Sequence, residues 1–207
     1  MIGKLIESLL EAPAYPEPTA NVSLTETHIS YIFITDHFVY KVKKAVDFGF
    51  LDFTTPERRR FYCQEEVRLN SRLCPDIYLG VVELRETPQG ASFAGGGKVI
   101  DYAVKMKRLP EERMLVHLLK QGRVGAQQMT QLALVIAQFH AKAATGPQID
   151  AYGSPEAIRA NWEENFSQTA PLPEEVLPAA DLALMHHWVD RFFAEKGDLL
   201  RARVERG

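Results

Sequence analysis

The feature that most constrains this chain is a change of hydrophobic period at Pro110. Before it, the segments ETHISYIFITDHFVYKVKKAV, YLGVVELRET and KVIDYAVKMKRL alternate in the manner of β-strands. After it, residues 112–121, 126–144, 154–166 and 174–195 carry apolar residues at helical spacing, with Gly122, Gly146 and Gly197 as stops and Ser154-Pro155-Glu156 as one start. Two strands are expected on either side of Thr35-Asp36-His37. One helix is expected within DFTTPERRRFYCQEEVRLNSRL, capped by Thr54 or Thr55, with Pro56 in its first turn and Glu57 at the positive end of its dipole. Strand, strand, helix, strand, strand, then helices is an α+β order: a small antiparallel-sheet lobe with one main helix, followed by a helical lobe. The expected divisions are 1–20 for an N-terminal helix and proline-rich connector, 21–110 for the small lobe and 111–207 for the helical part.

Charge narrows the function. A formal net charge of −3 provides no basic field, so no nucleic-acid partner is expected. The N-terminus MIGKLIESLLEA reads as an amphipathic helix rather than a secretory signal, and no apolar run approaches a membrane span. The two cysteines, Cys63 and Cys74, have no metal-ligand spacing and read as reduced core residues; the expectation is a soluble, cytoplasmic protein.

The chemistry concentrates in VYKVKKAVDFGFLDF. Alternation places Val39, Lys41 and Lys43 on one face of a strand, and Phe38, Tyr40 and Val42 on the other. On the helix that follows, Tyr62, Glu66, Leu69 and Leu73 fall at i, i+4, i+7 and i+11, which turns Glu66 inward. Glu65, among Arg58, Arg68 and Arg72, is its competitor on a more solvated face. A carboxylate turned inward needs a cation, and the strand offers Lys41, with Lys43 as the alternative. Arg58-Arg59-Arg60 reads as a solvated helix face, and Asp47 and Asp52 as caps of a glycine-containing turn. His140, on a face with Met129, Leu132 and Ile136, reads as a hydrogen-bonded core histidine. Gly95-Gly96-Gly97-Lys98 lacks the spacing of a phosphate-binding P-loop and reads as a hairpin turn.

Phe38-Val39-Tyr40-Lys41 resembles the V-A-I-K strand of the protein-kinase fold. THISYIF, VYKVKKAVDFGFLDF, EEVRLNSRLCPDIYLGVV and YAVKMKRLP resemble the aminoglycoside phosphotransferase and choline-kinase-like branch, in the form that bacteria fuse to a C-terminal P-loop ATPase domain. The resemblance covers most of residues 24–144. It implies a protein-kinase-like fold in which Lys41 orients the phosphates of ATP–Mg²⁺ and Glu66 holds Lys41. It further implies that Ser30 lies in the phosphate-covering turn, and that Met106, Lys107 and Leu109 offer main-chain groups to the adenine. The acceptor would be an unidentified small-molecule alcohol. The family's H-G-D-L-H loop, which carries the catalytic base, does not occur among the six histidines, and no G-x-x-x-x-G-K-[ST] is present. The expectation is therefore the N-terminal part of a phosphotransferase, inactive alone. Its metal ligands and a P-loop domain would belong to a longer parent chain. The alternative is a non-catalytic nucleotide-binding or regulatory module. A large lobe lacking its second half would expose apolar residues between Leu182 and Phe193.

Overall fold

The computed structural model describes residues 2–206. They form two compact units, the first reaching to Thr130 and the second starting at Gln131. The class is α+β, with an antiparallel six-stranded sheet in the first unit.

The strands are β1 (Ser23–Glu26), β2 (Ser30–Ile34), β3 (Phe38–Lys43), β4 (Tyr78–Thr87), β5 (Gly90–Ser92) and β6 (Val99–Lys107), in the spatial order β1-β2-β3-β6-β4-β5. β6 thus returns to lie between β3 and β4, pairing Lys41 with Val104 on one side and Val81 with Val104 on the other. Directly opposed residues share a face. Phe33, Tyr40, Val42, Ala103 and Leu84 therefore line one side of the sheet, while Lys41, Lys43 and Val104 line the other. The turn at Thr35-Asp36-His37 occurs as expected, closed by the Thr35 hydroxyl donating to the Phe38 carbonyl. The short edge strands β1 and β5 were not expected. Residues 93–98, with the glycine run, connect β5 to β6.

Helix α1 (Ile2–Ser8) and the 3₁₀ turn Ala12–Ala14 cover the Phe33/Tyr40 side. Leu9, Tyr15, Phe33, Tyr40 and Leu84 are all buried there, and the Tyr40 ring stacks on Phe93 at 4.6 Å and meets Tyr15 edge-on at 4.9 Å. Burying Tyr40 requires a partner for its hydroxyl, which donates to Glu17 Oε2 at 2.5 Å.

Helix α2 (Pro56–Asn70) packs against β4 and β6. It starts where the sequence places it, with Thr55 as the cap: its hydroxyl accepts from the Arg58 amide at 3.3 Å. The inward stripe differs from the expected one. Arg59 and Cys63 are buried, Glu66 has 14% of its side chain exposed, and Leu69 and Leu73 are exposed. Arg59, Cys63 and Glu66 stand at i, i+4 and i+7, and the polar two of them meet Asp101 and the strand lysines. Cys74, expected in the core, is exposed.

Beyond β6 come a 3₁₀ turn at Glu111–Arg113, then α3 (Leu115–Lys120) and α4 (Ala126–Ala141). No side chain of α4 is buried, and His140, expected as a core residue, is exposed. In the second unit α5 (Pro147–Gly153), α6 (Pro155–Thr169) and α7 (Ala179–Arg206) pack on one another. His186 stacks on Phe166 at 3.6 Å, while Leu184, Met185, Trp188 and Phe192 are exposed, as expected of residues 182–193. No described helix is long and apolar enough to cross a membrane.

Candidate functional site

The strand lysines and the α2 carboxylate meet. Glu66 accepts from Lys41 Nζ through Oε1 at 2.8 Å and from Lys43 Nζ through Oε2 at 2.7 Å. Alternation puts both lysines on the face that α2 covers, and the carboxylate's two oxygens divide between them. The alternatives left open by the sequence therefore resolve jointly: Glu66 holds both lysines, and Glu65 pairs with Arg68 on the outer side of the helix.

The two lysines differ in exposure. Lys43 keeps 5% of its side chain exposed and lies over the Phe53 ring at 4.8 Å; Lys41 keeps 25%. Burial acts to raise the Glu66 pKa, but the hydrogen bonds from Lys41 and Lys43 outweigh it and hold the carboxyl below the ordinary range. Glu66 is thus an anion at neutral pH. With one donor committed to Glu66, the Lys41 ammonium has two further N–H groups and a route to solvent. Lys43 is a buried prop. Lys44 turns away, bonding Glu26 at 2.8 Å over the Tyr31 ring.

The remaining expected residues are dispersed. Ser30 opens β2 after a tight turn at Thr27-His28-Ile29, closed by the Thr27 amide on the Ser30 carbonyl at 2.9 Å. Its side chain is wholly buried and its hydroxyl has no partner among the described residues, so it reaches no solvent in this conformation. At the end of β6, Met106 is inside the sheet opposite Val39 and Tyr78. The Lys107 amide donates to Ile77 and the Arg108 amide to His37, both at 2.9 Å. The Leu109 amide donates to no main-chain carbonyl among the described residues, and Pro110 has no N–H. The Leu109 main-chain N–H is thus left without a main-chain acceptor among the described residues.

A second buried pair went unread in the sequence. Arg59 is 6% exposed, and its Nε donates to both oxygens of Asp101 at 2.9 and 3.0 Å, while Nη1 donates to the carbonyls of Phe53 and Thr54. The expectation of a solvated Arg58-Arg59-Arg60 face therefore fails at its middle residue. The signal was present: Arg59 stands seven residues before Glu66 and so shares its face. Arg58 and Arg60 are exposed as expected. Asp47 and Asp52 cap the turn, accepting from the Gly49 and Thr54 amides at 2.8 and 2.9 Å. No three His, Cys, Asp or Glu side chains among the described residues gather as a metal site.

No family model matches the chain, and no solved structure does. Relatives are found among uncharacterized mycobacterial proteins: one from Mycobacterium bovis and one each from the CDC 1551 and H37Rv strains of Mycobacterium tuberculosis. Each is 28% identical over 195 residues, which is 94% of this chain and 37% of the relative. The chain is thus similar to little more than a third of these longer proteins.

Proposed function

We propose that the first unit is the nucleotide-binding part of an ATP-dependent small-molecule phosphotransferase of protein-kinase-like fold. The observation that supports the reading is the Lys41–Glu66 pair at 2.8 Å, a partly exposed strand lysine held by an otherwise buried helix carboxylate. Phosphoryl transfer depends on positioning and neutralising phosphate charge, and a lysine pinned by one carboxylate supplies a fixed cation with donors to spare. Lys41 contacts phosphate, Glu66 and Lys43 keep it in place, and the Leu109 amide is the donor available to an adenine edge. ATP supplies the transferable phosphoryl group when bound. Among the described residues no three His, Cys, Asp or Glu side chains gather to hold Mg²⁺. The acceptor and the activity of a longer parent chain belong to the same proposal.

Titration of the protein with MgATP by calorimetry tests it. Loss of a charge-assisted contact worth about 1.5–3 kcal/mol predicts at least tenfold weaker binding for Lys41→Ala, with Lys44→Ala unchanged. Absence of saturable ATP binding, or equal affinity in Lys41→Ala, refutes the proposal. Binding without phosphate transfer to any alcohol would mark the chain instead as a nucleotide-responsive module.

A further inference from the structure

Helix α7 carries apolar residues on two sides, and only one side is packed. Val189 and Gly197 are buried and His186 stacks on Phe166, so that side meets α5 and α6 within the second unit. On the other side Met185, Trp188, Phe192 and Leu199 follow at steps of three, four and seven, the spacing of a helix–helix seam. Trp188 is 60% exposed and the other three 43–46%. A contiguous exposed apolar stripe rimmed by charge marks an interaction surface. It shares no residue with the nucleotide contact proposed above and does not depend on that reading.

The stripe is symmetric about Phe192, which identifies its partner. Met185 and Leu199 stand seven residues before and after Phe192, Trp188 and Lys196 four, and Asp181 and Arg203 eleven. Two α7 helices running antiparallel about a two-fold axis at Phe192 therefore set Met185 against Leu199, the Trp188 ring against the Lys196 ammonium and Asp181 against Arg203, each pairing made twice. The charges are available: Asp181, Lys196 and Arg203 are exposed and join no ion pair among the described residues, whereas Arg191, Asp198 and Arg201 are engaged within α7 itself. A parallel pair would bring Asp181 to Asp181 and Arg203 to Arg203, so charge selects the antiparallel one. The area is sufficient but modest. The 28 residues of α7 make about 42 Å of helix, and a strip ~12 Å wide on two copies covers ~1,000 Å², the lower bound for a specific interface.

We propose that the outer face of α7 is a self-association surface whose partner is a second copy of this chain. The two helices pair antiparallel through Met185, Trp188, Phe192 and Leu199, with an Asp181–Arg203 ion pair at each end. An interface of this size holds a dimer of roughly micromolar Kd.

Sedimentation velocity of the full chain from about 1 to about 100 µM, a range that spans such a Kd, is expected to show monomer giving way to dimer. Phe192→Glu, at a half-exposed position, places two carboxylates at the axis; it is expected to leave the helical circular dichroism unchanged and to abolish the dimer. Asp181→Arg and Arg203→Asp are each expected to weaken the dimer about tenfold, because like charges then meet at both ends. The double variant Asp181→Arg, Arg203→Asp has the wild-type net charge and opposite charges at both ends again, and is expected to recover wild-type affinity. These charge variants leave the apolar stripe intact and decide the matter should Phe192→Glu fail to fold. A monomer throughout that range, a dimer that survives Phe192→Glu, or a double variant no tighter than the single ones overturns the proposal. So does a monomer that binds, through this stripe, the remaining part of one of the longer mycobacterial relatives.

Discussion

Replacing Glu66 by glutamine removes one negative charge from two lysines at once. Lys43, with 5% of its side chain exposed, cannot rehydrate in place, whereas Lys41, at 25%, partly can. Breaking a fully buried pair costs about 3–5 kcal/mol, and an exposed one about 0–1 kcal/mol. The Lys43 half should therefore carry about 2–3 kcal/mol and the Lys41 half under about 1 kcal/mol. The glutamine carbonyl can still accept one bond, which restores about 1 kcal/mol and leaves a net loss of about 2 kcal/mol at neutral pH. The Glu66 pKa is lowered in the folded protein, so this stability is complete above the ordinary glutamate value of about 4.3 and is lost as pH falls through the lower folded value. The gap between wild type and Glu66→Gln should thus close in acid. Both tryptophans, Trp162 and Trp188, lie in the second unit, so their fluorescence is the wrong probe. Hydrogen exchange of β3 and α2 amides reads the first unit directly. A gap below about 0.5 kcal/mol at neutral pH, or one that does not change between pH 7 and pH 3, refutes the reasoning.

Other perturbations separate the elements of this fold. Lys43→Met should cost under about 1.5 kcal/mol, because it removes the buried cation together with its need for a carboxylate and leaves Glu66 on Lys41; a loss exceeding that of Glu66→Ala in urea unfolding would contradict this. Gly97 has φ +144°, and a Cβ there would lie 2.0 Å from the Glu86 carbonyl oxygen, whereas one on Gly96 meets nothing within 4 Å. Gly97→Ala should therefore destabilise the first unit by about 1–3 kcal/mol and Gly96→Ala by under about 0.5 kcal/mol, and equal effects in thermal unfolding would contradict the geometry. Of the two thiols, Cys74 is exposed, while Cys63 is fully buried with its pKa pushed up to about 11 by burial. Native protein should react with one equivalent of a disulfide reagent at Cys74 and a second only after unfolding, with mass spectrometry of the labelled peptides as the check.

What the sequence determines here is local. The change of period at Pro110 separates sheet from helices, and Thr55-Pro56-Glu57 starts α2 because cap, fixed φ and dipole all act within one turn. Strand alternation alone puts Lys41 and Lys43 on one face, and helical spacing alone turns Glu66 inward. Tertiary structure decides the partners and their reach. β6 returns between β3 and β4, an order that no local pattern encodes, and this brings Asp101 to Arg59 across 42 residues. Of the expected stripe Tyr62, Glu66, Leu69 and Leu73, Glu66 and Tyr62 stay turned inward while Leu69 and Leu73 are exposed, and Arg59 and Cys63 are the residues buried beside Glu66. The same periodic signal reads as core in α4, yet none of its side chains is buried and His140 is exposed. Spacing specifies which residues share a face. Whether that face is covered, and by which charge, depends on chain that closes on it from far away in sequence.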